Sequence, residues 1–244
     1  MTERTHPRPH AFALKGVPAL ADADGVLFLP DFATLIVSDL HFEKGSAYAS
    51  RGQLIPPYDT RSTLRRLTAC IARHRPEQVI ALGDSFHDLG ADGRIDGEDA
   101  AALQALVASV ASWVWIEGNH DPAPPPRFGG MIRHALEIGP LTLRHLPGEG
   151  PAPGEIAGHL HPCAKVAGRG RSVRARCFAT DEQRLIMPAF GAFTGGLNVR
   201  DAAFGRCFGR TPDALVMGKT AVHHIGAGRL LPDPARLVRT VRAR

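Results

Sequence analysis

Apolar runs that end in polar residues recur along the first two thirds of this chain. TLIVSDLH (residues 34–41), EQVIALGD (77–84) and SWVWIEGNHD (112–121) each read as a buried strand running into a polar loop. A helix is expected from about Tyr58 to His74, with Asp59 or Thr60 as its cap, and GEDAAALQALVASV (97–110) reads as a second. A Pro-rich stretch, PAPPPRF, precedes a strand pair expected around Ile132–Ile138 and Leu141–His145. EIAGHLHP (155–162) follows as a further strand end. From about Ser172 the chain looks β-rich, in SVRARCFAT, EQRLIMPAF and DALVMGKTAVHHI. Strand and helix alternating in the first half predict an α/β unit with parallel strands. Ligands of such sheets collect beyond the carboxyl ends of the strands.

Those ends carry one kind of chemistry. Asp39 and His41 follow the first strand, and Asp84 the second. Asn119, His120 and Asp121 follow the third, His145 ends LTLRH, and His159 and His161 follow EIAG. A core histidine or a turn aspartate explains any one of these, but not the set. In an extended segment His159 and His161 would point to the same face. Imidazole and carboxylate without thiolate suit Mn, Fe, Zn or Mg. Cys163 has no partner cysteine at zinc spacing. Asp39, His41, Asp84, Asn119, His145, His159 and His161 are too many ligands for one closed site. They are about right for two divalent ions sharing a carboxylate, a clamp suited to displacement at phosphorus.

The series DLH, GDSFHD, GNHD, a lone histidine and GHLHP resembles the blocks of the calcineurin-like metallophosphoesterases. His145, in LRHLPGEG, departs from the usual His-Gly context. LIVSDLHFEKGSAYASRGQLIPPYDT, GDSFHD, AGHLHP and AFGAFTGGLNV are similar to the ligase-associated DNA damage response endonucleases, the PdeM group. That resemblance spans about Phe32 to His224 of a single domain, 1–244, and leaves the first thirty residues and the arginine-rich tail peripheral. It implies a four-layer α/β/β/α sandwich. It implies that Asp39, His41 and His161 hold one metal, that Asn119, His145 and His159 hold the other, and that Asp84 bridges. Mn²⁺ is the expected ion. His120 would assist the leaving oxygen, with Asp121 either orienting it or serving as a simple turn residue before Pro122. His87 and Asp88 would support the site, or Asp88 would cap the next turn. Lys44, Arg51 and Arg127 are weak phosphate-contact candidates.

The resemblance implies a DNA endonuclease in repair, functionally associated with a DNA ligase and a helicase. A small-molecule phosphodiesterase or phosphatase is the alternative, and a silent scaffold a third. A formal charge of +5 (29 Lys plus Arg against 24 Asp plus Glu) is compatible with a polyanionic partner without demanding one. The clusters Arg169–Arg176 and Arg236–Arg242 read first as solubilising faces, and with aromatics at 6% a stacking platform has little compositional support. No apolar run approaches a membrane span. The start MTERTHPRPH lacks a signal-peptide core, so a cytoplasmic location is expected. Cys70, Cys163, Cys177 and Cys207 then read as reduced, partly buried thiols.

Overall fold

A computed structural model describes residues 6–168 and 170–234. Its first sheet has seven strands in sequence order: β1 (His10–Leu14), β2 (Val17–Ala21), β3 (Leu27–Leu29), β4 (Thr34–Val37), β5 (Gln78–Leu82), β6 (Ser112–Ile116) and β7 (Met131–Arg133). β1 to β4 pair antiparallel, and β4 to β7 pair parallel. The crossovers carry α1 (Lys44–Ala49), α2 (Asp59–His74), α3 (Ala91–Arg94) and α4 (Gly97–Ala108).

Side-chain alternation splits each parallel strand between two cores. Leu35, Val37, Val79, Ala81, Trp113 and Trp115 face the helices, packing with Leu64, Leu67, Leu103 and Leu106. Ile36, Ile80, Leu82, Val114 and Ile116 face the other way, onto a second sheet through Leu143, Ile156, Phe178 and Leu185. Burial on both faces is why these strands read as continuous apolar runs.

The second sheet contains β8 (Ala135–Ile138), β9 (Leu141–Arg144), β10 (Glu155–Ala157), β11 (Pro162–Ala167), β12 (Ser172–Thr180), β13 (Leu185–Ile186), β14 (Leu197–Asn198), β15 (Asp213–Met217) and β16 (Val222–Ile225). Its outer face packs Ala179, Ile186 and Val216 with Phe204 and Cys207 of α5 (Ala202–Phe208). Helices, sheet, sheet and helix make the expected α/β/β/α sandwich. All four cysteines are free and buried.

Four expectations change. The strand expected over Ile132–Ile138 breaks at His134, where the chain passes from β7 in the first sheet to β8 in the second. EQRLIMPAF is a strand only at Leu185–Ile186. Beyond it Pro188 has no N–H for a ladder, and Phe190 N donates instead to Ser38 O (2.8 Å). Residues 10–29 are not peripheral: β1 to β3 extend the first sheet, burying Leu14, Val17, Leu27 and Leu29. Neither Asp59 nor Thr60 caps α2. Asp59 Oδ2 accepts from Gly45 N (2.9 Å) and Thr60 Oγ1 from Glu43 N (2.9 Å), tying α1 to α2. Arg169 and the tail arginines Arg236, Arg239 and Arg242 lie outside the described residues.

Candidate metal centre

The loops after β4 and β5 stay paired beyond their strands. Asp39 N donates to Gly83 O (3.2 Å), His41 N to Asp84 O (2.9 Å) and Phe42 N to Ser85 O (2.8 Å). Within them Asp39 (φ 54°), His41 (φ 46°) and Asp84 (φ 47°) are left-handed, as are His159 (φ 68°) and His161 (φ 46°). Each such residue costs roughly 1–2 kcal/mol. Strain of this kind gathers where side chains must converge. Gly83, at φ 76°, lies against the His145 ring, where a Cβ would overlap it.

GHLHP is therefore not extended, and its two imidazoles part. His161 joins Asp39 and His41, while His159 joins Asp84 and His145. His41 Nε2 lies 4.0 Å from Asp84 Oδ2, so Asp84 stands between the groups. His145 Nε2 is 3.3 Å from Asp84 Oδ1 and 3.0 Å from Asn119 Oδ1. All seven residues expected as ligands thus meet in one place.

The donor atoms fit a cation. Asp39 Oδ1, both ring nitrogens of His41 and His161 Nε2 are buried without hydrogen-bond partners. Unpartnered buried acceptors are costly, and a shared positive ion would satisfy Asp39 Oδ1, His161 Nε2 and the one unprotonated nitrogen of a neutral His41 together. Burial pushes the His41 pKa down to about 3, leaving a neutral, ligand-competent ring. Burial would raise Asp84, but the His145 ring and the His120 amide hold it down to about 2. His145 is pulled the other way: burial would lower it, and Asp84 with Asp39 raises it to about 9. Its Nδ1 meets Leu82 O (3.0 Å), so the charge demanded by the carboxylates falls at Nε2, where a metal ion can replace the proton.

Supporting contacts include one that sequence reading missed. Ser38 Oγ donates to Asp39 Oδ2 (2.5 Å), which also accepts from His159 N (3.1 Å). Its only sequence signal is its place beside the ligand.

His120 sits at the rim. Its amide donates to Asp84 Oδ1 (2.9 Å), its Nδ1 meets His87 O (2.8 Å), and its Nε2 is 4.0 Å from Asp84 Oδ2. Asp121 does not orient it. That carboxylate is buried and accepts from Ser85 N (2.9 Å) and Phe86 N (3.0 Å), bracing the loop that carries Asp84. Burial, reinforced by the Asp84 charge, pushes Asp121 up to about 7 although the two amides oppose it. The His87 ring stacks on His120 with centroids 5.4 Å apart. Burial, with Lys44 and His120 nearby, lowers it to about 4. Asp88 turns away, accepting from Gly90 N (2.9 Å) and Arg94 Nη2 (2.6 Å).

Among the cationic candidates, Lys44 is half-buried and close enough for its charge to act on His41 and His87. Arg51 is exposed, and its charge also reaches His87. Arg127 is removed from the cluster, bound to the Asp92 side chain and carbonyl. A cavity of about 240 Å³ beside Asn119 and His145 is lined also by Glu117, Pro122, His134 and Leu146.

The calcineurin-like phosphoesterase pattern matches residues 32–168, more than half of the chain. The crystal structure of the Pseudomonas putida nuclease MPE superposes with a TM-score of 0.70 at 29% identity, covering 89% of this chain and 100% of that one. Protein AQ665 of unknown function from Aquifex aeolicus (18% identity, 52% of this chain and 78% of that one) gives a TM-score of 0.37. The E. coli phosphoesterase Yfce (12% identity, 80% and 98%) gives 0.38. No protein of curated function matches the chain. With the family pattern lying over Asp39, His41, Asp84, Asn119, His145, His159 and His161, this chain belongs to the calcineurin-like phosphoesterases and is a metal-dependent phosphoester hydrolase.

Proposed function

We propose that the chain is a binuclear-metal phosphodiesterase that cleaves DNA as an endonuclease, with manganese as its preferred ion. The observation that carries the nucleic-acid part is the likeness to a nuclease across that protein's whole length. Asp39, His41 and His161 would hold one ion, Asn119, His145 and His159 the other, and Asp84 would serve both. When bound, such a pair would supply Lewis-acid stabilisation of the phosphoryl group and of the attacking water.

The chain's own contribution beyond ligation is His120. Its side chain is 42% exposed, open to substrate. A carbonyl partner fixes Nδ1 as donor, so the proton it exchanges with the leaving oxygen is at Nε2. Such help contributes about 10²–10⁴ in rate. Lys44, beside His41 and His87, favours an anionic substrate at the same rim. A role in repair, with functional association to a DNA ligase and a helicase, rests on the resemblance to the PdeM group. A cytoplasmic location belongs to the same proposal; among the described residues no helix is long and apolar enough to cross a membrane.

A small-molecule diester is the competing substrate. Pockets for such ligands usually enclose about 300–1,000 Å³, whereas the cavity beside His145 holds about 240 Å³. The deciding experiment gives the Mn²⁺-loaded protein plasmid, single-stranded oligonucleotides and bis-p-nitrophenyl phosphate over a range of salt. Nucleic-acid cleavage should fall steeply with salt through counterion release, and the small diester far less. Absence of any nicking or strand cleavage, with the small diester still turned over, would leave the small-molecule reading standing.

A further inference from the structure

The loop from Gly191 to Gly196 is anchored to the backbone of two metal-site residues. Gly191 N donates to Asp39 O (3.0 Å), and Gly196 packs so closely on the His161 carbonyl that a Cβ would overlap it. Thr194 Oγ1 donates to Gly191 O (2.8 Å), and Arg174 Nη2 to Gly196 O (2.5 Å). Inside this braced loop stands Phe193, at φ 57° and 49% exposed, outside all three hydrophobic cores. A bulky residue at positive φ is a genuine outlier. A half-exposed ring contributes little burial to offset that strain. Strain held by its surroundings points to function.

Its place says which function. Phe193 is two peptide units from Gly191, so their Cα atoms lie at most about 7.6 Å apart. Gly191 in turn bonds the carbonyl of Asp39. A loop tethered by its backbone to Asp39 and His161 carries this half-exposed aromatic side chain within a nucleotide's length of the metal centre. We propose that Phe193 is a substrate-stacking residue that holds a base flanking the scissile phosphate, which rests on the nucleic-acid reading above. Stacking tolerates every base, since each has a π face. The tertiary fold thus supplies beside the metal centre a platform that the sparse aromatic composition did not suggest.

The test uses the full-length, Mn²⁺-loaded protein on a single-stranded oligonucleotide and on methyl p-nitrophenyl phosphate, which has no base. Phe193→Ala should lower kcat/KM on the oligonucleotide about 5- to 150-fold, the value of one base–aromatic stack. Turnover of the small diester and metal content should not change. Phe193→Trp should cleave the oligonucleotide about as well as the parent. Phe193→Gly should lose the same cleavage while its Tm stays level or rises, because the strain is relieved. Parental oligonucleotide cleavage by Phe193→Ala would overturn the stacking role and leave the nuclease reading intact. Equal losses on both substrates, or a lower Tm in Phe193→Gly, would also overturn it by making Phe193 a packing residue. A parent protein that cleaves no nucleic acid would remove the nuclease reading itself, and the stacking role with it.

Discussion

His161 Nε2 and Asp39 Oδ1 lie 2.9 Å apart inside the protein, and neither atom has a hydrogen-bond partner. Two lone-pair donors held this close are arranged for a third, positive body between them. Both residues reach the position through left-handed backbone, φ 54° at Asp39 and φ 46° at His161. The fold therefore accepts local strain to bring together a carboxylate oxygen and an imidazole nitrogen that either a proton or a metal ion must join.

Asp84 stands within reach of donors in both groups. Asp84→Ala should reduce metal content and lower hydrolysis of every phosphoester by more than about 100-fold, beyond what loss of an outer contact costs. Elemental analysis alongside rates on bis-p-nitrophenyl phosphate checks this. Near-parental turnover would end the assignment of two ions sharing one carboxylate.

If His120 has the proposed role, metal binding and proton transfer should separate there. His120→Ala should retain both ions and lose about 10²–10⁴ in rate on DNA, whose alkoxide needs a proton. On p-nitrophenyl diesters, whose leaving group departs unaided, the loss should be smaller. Equal loss on the two substrates, or loss of metal, would assign His120 an electrostatic or ligating role.

Asp121 behaves differently because it touches the loop and not the reacting groups. Asp121→Ala strands the Ser85 and Phe86 amides, which should destabilise the protein by about 1–3 kcal/mol. Activity should then fall in equal proportion on DNA and on nitrophenyl diesters, as Asp84 loses its brace. Thermal melts with both rate assays test this, and a loss confined to DNA would restore Asp121 as a partner of His120.

Gly83 has no room for a methyl group. Gly83→Ala places a Cβ on the His145 ring at a backbone φ of 76°. The left-handed backbone alone costs about 1–2 kcal/mol, and displacement of His145 should weaken metal binding at the group it shares with Asp84 and His159. Metal titration of the variant is the measurement. Unchanged affinity would show that the ring can shift without consequence.

Asp22, at the turn between β2 and β3, gives a pH dependence away from the site. It is fully buried and meets Arg73 Nη1 (2.8 Å), His74 Nε2 (2.9 Å) and His6 Nε2 (3.1 Å). Burial would raise its pKa, but His74, the Asp24 amide and Arg73 outweigh burial and hold it well below the usual range. A depressed carboxylate stabilises the fold above its unfolded pKa, near 3.9, and that stability is lost as pH falls towards the folded value. Asp22→Asn should cost about 2 kcal/mol at pH 7, about 4–8 °C in Tm. The gap from the parent should narrow below about pH 4. Thermal melts between pH 7 and pH 3 decide it, and a gap independent of pH would show that the carboxylate charge is not what stabilises this turn.

Much of the fold and of the site is legible in the sequence because a parallel α/β sheet sends the carboxyl ends of its strands to one edge. Apolar runs closing on Asp39, Asp84 and Asn119 therefore announce convergence before any coordinate is known. The helices at 59–74 and 97–108 follow from apolar spacing of the same local kind. What the sequence could not decide depends on torsion angles and distant partners. Left-handed turns at His159 and His161 divide two rings that an extended strand would hold on one face. Asp121 passes over its neighbour His120 to bind amides 35 and 36 residues away. The break at His134 gives one apolar stretch to two sheets, and the short strands of residues 10–29 gain stability only from the inter-sheet core they help to close. Local pattern reports which residues are apolar and where polar chemistry gathers; only the packed chain sets the angle at which each side chain arrives.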